Sequence, residues 1–392
     1  MEIYKDKALI VNTKRPELIL EKIPKSQVIK TYDNGVSQVL VNWGINEVIT
    51  LTDMRVKNPP SPIKKEYDWP GIHKPFDHQI TTAEFLSAHR RAYCLSEAGT
   101  GKTSSVIWAA DYLMKKGIIQ RVLVVCPLSI MKAAWQQDLF KTAMHRTVGL
   151  AHGVAVKRKQ VLAEKTEFVI INYDGIEIVE DEIKNGGFDL VVVDEANYVK
   201  TTSTRRWKSL NRVLKKDTWL WLMTGTPAAQ SPADAYGLAK LVNPASVPKY
   251  AGTFKEMVMQ KVSQFTWIPR YNAQDIVYKT LQPAIRYTKE ECLDLPDVLY
   301  TTREIDLTPQ QDKYYKKLKK DRYLAAAGEE ITVVNAGVML TKLLQVSAGS
   351  IYSDTGEIIE FDVSNRMLAL REIITEASHK VLVFCPFRHS IE

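Results

Sequence analysis

Four stretches of the sequence, VLVVCP (122–127), FVIINY (168–173), LVVVDE (190–195) and the start of WLWLMTGTP (219–227), are apolar almost end to end and then break into polar or turn-forming residues. A strand with one wet face alternates apolar and polar side chains, whereas one without alternation must be covered on both faces. Helical stretches lie between most of these runs. Helices alternating with fully apolar strands imply an α/β fold, a parallel sheet with helices on both sides. Ligands of such sheets bind outside the carboxyl ends of the strands, so chemistry is expected in the residues just after each run.

A chain of 392 residues has room for two domains and a small third one. Residues 1–57 read as a small α+β unit. KALIV (7–11) is strand-like, PELILEKI (16–23) is a short helix opened by Pro16, and SQVIKTY and VSQVLVNW form a hairpin around Asp33-Asn34-Gly35. The prolines within 58–71 block helix and ladder alike and mark a linker. A parallel-sheet lobe is expected over 72–245, an irregular or helical insertion over 246–285, and a further α/β region over 286–392. In that last region helices are expected near 309–327, 334–346 and 365–377, with a strand in KVLVFCP (380–386).

The 53 Lys and Arg exceed the 45 Asp and Glu, and the net charge of +8 favours a polyanionic partner. Cys94, Cys126, Cys292 and Cys385 occur singly, with no C-x-x-C pair. That argues against a structural zinc site or a disulfide framework and fits reduced thiols in a cytoplasmic protein. Residues 1–20 carry charges throughout, unlike a signal peptide, and no apolar run approaches the roughly 20 residues needed to span a bilayer.

SEAGTGKT (96–103) follows the strand-like AYCL and precedes SSVIWAADYLMKK, an amphipathic helix. A strand, a glycine loop and a helix in that order make a phosphate-binding loop. Backbone N–H groups of Ala98, Gly99, Thr100 and Gly101 would curl around the phosphates of ATP at the helix N-terminus. Lys102 would reach the β- and γ-phosphates, and Thr103 would offer its hydroxyl to Mg²⁺. Ser96 stands where the usual pattern begins with glycine. The run LVVVDE delivers Asp194 and Glu195 at a strand end: Asp194 to hold Mg²⁺ through water, Glu195 to polarise the attacking water. An adjacent acidic pair is ordinarily a solvated surface feature; four preceding apolar residues make this one different. Thr224, Gly225 and Thr226 end another strand, where the threonine hydroxyls are placed to couple the nucleotide site to a facing lobe.

With GTGKT, DEAN and TGTP in this order, the chain resembles superfamily 2 (DEAD/DEAH-type) helicases. DEANYVKTTSTRRWKSL, MTGTPAAQSPADAYGLAKLVNP, RYTKEECLDLPD (286–297), EIDLTPQQDKYYKKL (304–318) and LLQVSAGSIY (343–352) narrow the resemblance to the Swi/Snf-like branch. The compact N-terminal unit is similar to that of small phage-encoded members. The resemblance covers roughly residues 72–392. It implies a RecA-like lobe followed by a second, partial RecA-like lobe, with ATP hydrolysed between such lobes to move along duplex DNA. It assigns Gln79, whose amide both donates and accepts, to adenine, and places Pro127, Ser129, Asn172, Tyr173 and Lys200 near the DNA backbone. Family members usually have His or Asp where Asn197 stands; an amide can still hydrogen-bond across to the Thr-Gly-Thr loop. A monomer working in the cytoplasm (the host's, for a phage-encoded protein), without a membrane partner, is expected.

RVLVVCPLS (121–129) and KVLVFCPFR (380–388) are nearly the same words. Within the resemblance the first is a strand of lobe 1, and the second is its counterpart opening the sheet of lobe 2. A lone apolar strand with open edges is an aggregation hazard, so the sequence reads as a C-terminal truncation of a longer translocase. It would then lack the arginine finger, worth about 10³–10⁵ in rate, and would bind ATP but hydrolyse it poorly. Two other readings stay open: a strand-separating DNA or RNA helicase, and a nucleotide-gated DNA-binding module without turnover. Intact Lys102, Thr103, Asp194 and Glu195 argue against the latter.

Overall fold

The computed structural model describes residues 1–392 except 265, 295, 297, 322, 327, 328, 333–335 and 392. It divides into two units, Met1–Leu295 and Pro296–Glu392.

The first unit begins with β1 (Glu2–Tyr4), β2 (Ala8–Thr13), β3 (Gln27–Thr31) and β4 (Ser37–Asn42), an antiparallel sheet of order β1-β2-β4-β3. Gly35 takes a positive φ of 77° in the turn between β3 and β4, as the Asn-Gly signal requires. Strand alternation sends Leu9, Val11, Val39 and Val41 to one face, where they are buried with Ile19, Val48, Ile49 and Leu51 of the helices Pro16–Lys22 and Ile45–Asp53.

Residues 58–71, expected as a linker, are a packed strap. Ser61, Ile63 and Tyr67 are buried. The Trp43 indole donates to Pro60 O at 2.8 Å and the Trp108 indole to Pro70 O at 2.8 Å. Proline removes a backbone donor but leaves the carbonyls free to accept, and tryptophan supplies the donors. Tyr67 donates to Asp111 Oδ2 at 2.5 Å, and the wholly buried Asp111 also faces Arg146 Nε at 2.5 Å and His145 Nε2 at 2.8 Å. Burial pushes the Asp111 carboxyl up, but hydrogen bonds from Tyr67, Arg146 and His145 and the Arg146 charge outweigh it and hold the group below its ordinary value.

The main sheet is built from β5 (Arg91–Cys94), β6 (Val122–Cys126), β7 (Val148–Ala151), β8 (Phe168–Asn172), β9 (Leu190–Asp194) and β10 (Trp219–Met223). With β13 (Ala284–Ile285) it forms a seven-stranded sheet of order β13-β5-β10-β9-β6-β8-β7, every pair parallel. Every residue of β6, β8, β9 and β10 is buried. Alternate residues go to different cores. Val122, Val124, Ile170, Val192 and Trp221 join one cluster, and Leu123, Val125, Ile171, Val193 and Leu222 join the other. This is the two-sided coverage that the unalternating runs demand.

After β10, the expected insertion holds helices Ala251–Val258 and Ala273–Thr280 and the antiparallel pair β11 (Met259–Lys261) and β12 (Trp267–Pro269). It ends by adding β13 to the edge of the main sheet beside β5. Residues 286–294, expected to open the second lobe, therefore stay with the first unit.

The second unit contains helices Pro309–Asp321, Ala336–Ala348 and Ser364–Glu376 and two antiparallel pairs. These are β14 (Tyr323–Ala326) with β15 (Glu329–Thr332), and β16 (Ser350–Tyr352) with β17 (Ile358–Glu360). Its core is small: Leu318, Leu343, Val346, Ile351, Ile359 and Phe361. The helix expected over 309–327 stops at Asp321 and gives way to β14, and residues 327 and 334 of the two expected helices lie outside the described residues. KVLVFCP is not a strand here: Leu382 is 82% and Phe384 89% exposed, and the segment joins no ladder among the described residues. A β-strand exists only by pairing, so similarity to RVLVVCPLS does not by itself make one. No helix among the described residues is long and apolar enough to cross a membrane.

The Asp111 cluster generates a stability prediction. Asp111→Ala should cost about 3–5 kcal/mol in urea unfolding, since it strands buried partners of the carboxylate. Because the folded carboxyl is held below its unfolded value, its contribution is present above roughly pH 4 and is lost as pH falls through the folded value. Asp111→Asn should flatten that acid dependence.

Candidate nucleotide site

Strand order brings the carboxyl ends of β5, β10, β9, β6 and β8 side by side, and each continues into one of the singled-out motifs. β5 runs into the glycine loop and then the helix Lys102–Lys115. Gly99 and Gly101 adopt φ of 87° and 74°, conformations that cost a side-chain-bearing residue roughly 1–2 kcal/mol. A Cβ on Gly101 would lie 2.0 Å from Gln79 Nε2, so any side chain there would push the Gln79 amide aside. The loop is braced internally, with Thr100 Oγ1 and Lys102 Nζ each donating to Glu97 O at 2.9 Å. His78 Nε2 sits 2.8 Å from Thr100 O. Gln79 is buried beside the loop; its Oε1 accepts from Phe76 N at 2.9 Å and its Nε2 reaches Gly101 O at 3.5 Å.

β9 delivers Asp194 and Glu195. Asp194 is buried, and both carboxylate oxygens are held: Oδ2 by the Trp135 indole at 2.8 Å, Oδ1 by the Glu195 N–H at 2.9 Å. Trp135 itself is wholly buried, in a π-helical turn Met131–Gln136; such turns recur at functional sites. Burial raises the Asp194 carboxyl, opposed by the Trp135 and Glu195 hydrogen bonds and the Lys102 charge. Glu195 is raised by burial and by Asp194, again opposed by Lys102. Lys102 therefore lies close enough for its charge to act on both acids. Glu195 takes the left-handed conformation, φ 52° and ψ 55°, costly for a non-glycine residue and typical of functional sites. Tyr173 secures it, its hydroxyl donating to Asp194 O at 2.5 Å and Glu195 O at 3.0 Å.

Among the described residues no group of three or more His, Cys, Asp or Glu is arranged to hold a metal by protein ligands alone. Mg²⁺ binds through one or two protein oxygens and otherwise keeps water and phosphate oxygens, so Thr103 and Asp194 fit it. The Thr-Gly-Thr loop lies against the glycine loop. A Cβ on Gly225 would sit 3.5 Å from Glu97 Cα, Thr224 N donates to Cys94 O at 3.1 Å, and Thr226 N donates to Thr224 Oγ1 at 3.2 Å. Asn197 Oδ1 is buried without a hydrogen-bond partner among the described residues.

The residues expected near DNA divide. Ser129 is exposed and Pro127 half-buried at the end of β6. The side chains of Asn172 and Tyr173 instead turn inward. Asn172 Oδ1 accepts from the buried Arg158 at 2.9 Å, and the Tyr173 hydroxyl donates to the main-chain carbonyls of Asp194 and Glu195. Lys200 is paired, its Nζ donating to Gln230 Oε1 at 2.6 Å and Asp234 Oδ2 at 2.9 Å. Trp135 and Tyr287 escaped the sequence reading. A buried indole N–H must find an acceptor, which signals that Trp135 has a polar partner, though not which one. The Tyr287 N–H donates to Ser96 Oγ at 3.1 Å, so the serine at the loop's variant position carries a bond that glycine lacks.

The SNF2-related domain family matches residues 78–350. The chain belongs to that family. Among its relatives, protein p41 of Acyrthosiphon pisum secondary endosymbiont phage 1 is 21% identical over 81% of this chain and 73% of that protein. An uncharacterized ATP-dependent helicase of Mycoplasma pneumoniae is 26% identical over 74% of this chain, which spans only 28% of that helicase. Among solved structures, the Sulfolobus solfataricus SWI2/SNF2 ATPase core in complex with dsDNA superimposes with a TM-score of 0.50 at 20% identity, over 79% of this chain and 65% of that one. That likeness shows the RecA-like fold.

For this SNF2-related domain the Trp135–Asp194 bond is testable. Trp135→Phe keeps an aromatic ring but removes a donor from a buried carboxylate, typically a loss of about 1–3 kcal/mol. The Asp194 carboxyl should rise further, so the acid limb of Mg²⁺-dependent nucleotide binding should move to higher pH. An unchanged pH profile would count against the bond's importance.

Proposed function

We propose that the chain is the ATP-hydrolysing core of a translocase that moves along double-stranded DNA. The observation that carries this is the meeting, at adjacent strand ends of one parallel sheet, of a glycine loop with Lys102, a buried Asp194, a strained Glu195 and the Thr-Gly-Thr loop. Glycine-loop N–H groups bind the phosphates, and Lys102 leaves Glu97 O for the β- and γ-phosphates. Thr103 and Asp194 would hold Mg²⁺, which when bound supplies positive charge against the phosphates. Glu195, raised by burial and its acidic neighbour, orients the attacking water and accepts its proton. Gln79 exchanges its present partners for the adenine edge.

DNA binding is supported by the net charge of +8 and by the dsDNA of the Sulfolobus complex. Ser129, Pro127 and main-chain groups around Asn172 are the contacts proposed for the phosphate backbone. The same segments touch the acid pair: the π-helical turn after Ser129 carries Trp135, which holds the Asp194 carboxylate, and Asn172 is followed by Tyr173, which holds the main-chain carbonyls of Asp194 and Glu195. DNA seated on either segment would act on Asp194 and Glu195 through one side chain. The coupling residues proposed toward the nucleotide are Asn197, Thr224, Gly225 and Thr226.

Lys102→Ala should abolish binding of a fluorescent ATP analogue. Glu195→Gln should bind ATP normally and lose about 10²–10⁴ in DNA-stimulated phosphate release. A wild-type chain that binds ATP and DNA but shows no Glu195-dependent release would favour the nucleotide-gated binding module. DNA affinity should fall with salt, each neutralised phosphate contributing a slope of about −0.9 in log K against log salt, with little dependence on sequence. A slope near zero would rule out backbone binding.

A further inference from the structure

The segment that follows the last strand of the main sheet lies alongside the glycine loop. Beyond the β5–β13 ladder, Leu95 N donates to Ile285 O at 2.8 Å and Glu97 N to Tyr287 O at 2.9 Å. Tyr287 N donates back to Ser96 Oγ at 3.1 Å, and Lys289 N donates to Glu97 Oε2 at 3.1 Å. The Tyr287 ring packs against His78, centroids 5.8 Å apart, and His78 in turn contacts the loop at Thr100 O. Thr288 and Glu291 form a capping box that fixes the turn at Lys289. Backbone atoms therefore determine where Lys289 stands.

Its side chain is free of that work. Lys289 is exposed, and its Cε lies 3.7 Å from where a Cβ on Gly99 would be, beside the glycine loop. Among the described residues its ammonium has no hydrogen-bond or ion-pair partner. Lys102, the other cation of the loop, already has a partner in Glu97 O. An unpaired ammonium on a stem that passes beside Gly99 can serve as a second anion-binding element, and the flexible stem lets it follow the phosphates.

We propose that Lys289 is a phosphate-contacting residue that discriminates nucleotides by the charge of their phosphate chain. It is contributed by the segment leading toward the second unit in sequence. The inference rests on the nucleotide-site reading above. An ammonium beside the glycine loop gains most from the most charged chain, so its contribution should rank ATP above ADP above AMP and weaken as salt screens it.

The test is titration of the full chain with fluorescent ATP, ADP and AMP analogues in Mg²⁺. Lys289→Gln leaves the backbone bonds in place and should weaken ATP about tenfold and ADP less at about 50 mM salt, with the difference collapsing near 500 mM. Lys289→Arg should restore most of the ATP affinity. Equal affinities for wild type and Lys289→Gln, or an equal loss for all three nucleotides, would overturn the proposal while leaving the nucleotide site standing, provided Lys102→Ala abolishes ATP binding. A wild-type chain that binds no nucleotide would overturn both.

Discussion

Everything in the first unit depends on a sheet that must be dry on both faces. Strands that are buried end to end, such as Val122–Cys126 and Leu190–Asp194, leave nowhere for polar chemistry except their ends. Parallel pairing points all carboxyl ends the same way, so motifs scattered over more than 100 residues of sequence, from Ser96 to Thr226, converge on one edge. Packing both faces stabilises the sheet; the same packing decides where function can sit.

At that edge the difficulty is keeping a carboxylate ionised while burying it. Removing Asp194 from water favours its protonated form, which would hold a cation poorly. The structure counters with two charge-stabilising hydrogen bonds and the nearby Lys102, interactions that gain strength where water is absent. One donor is Trp135, from the segment after β6, and the adjoining carbonyls are held by Tyr173, from the end of β8. Thus the residues that make the acid pair usable belong to the segments proposed to feel DNA.

Several expectations changed once neighbours were known. The proline-rich stretch looked like a linker because proline cannot join a ladder, but its carbonyls accept from Trp43 and Trp108 and it became a strap. Asn172 and Lys200, polar and near strand ends, turned to Arg158 and Asp234. KVLVFCP has the composition of a strand and pairs with none among the described residues. In each case local pattern described what a segment was capable of, while the choice depended on partners distant in sequence.

What the sequence by itself determined is the class of the fold and the place on it, the carboxyl edge of the sheet, where the singled-out motifs meet. Unalternating apolar runs admit only a doubly covered sheet, and a glycine loop between strand and helix, with an acidic pair ending a later strand, admits few uses other than binding a nucleotide. Those signals are local, written in periodicity and in residue types with narrow conformational range. Only the tertiary structure decided what holds the site. Trp135 meets Asp194 across 59 positions of sequence, and Tyr287 meets Ser96 across 191. Such pairings arise from strand order, and no periodicity encodes which buried donor will find which acceptor.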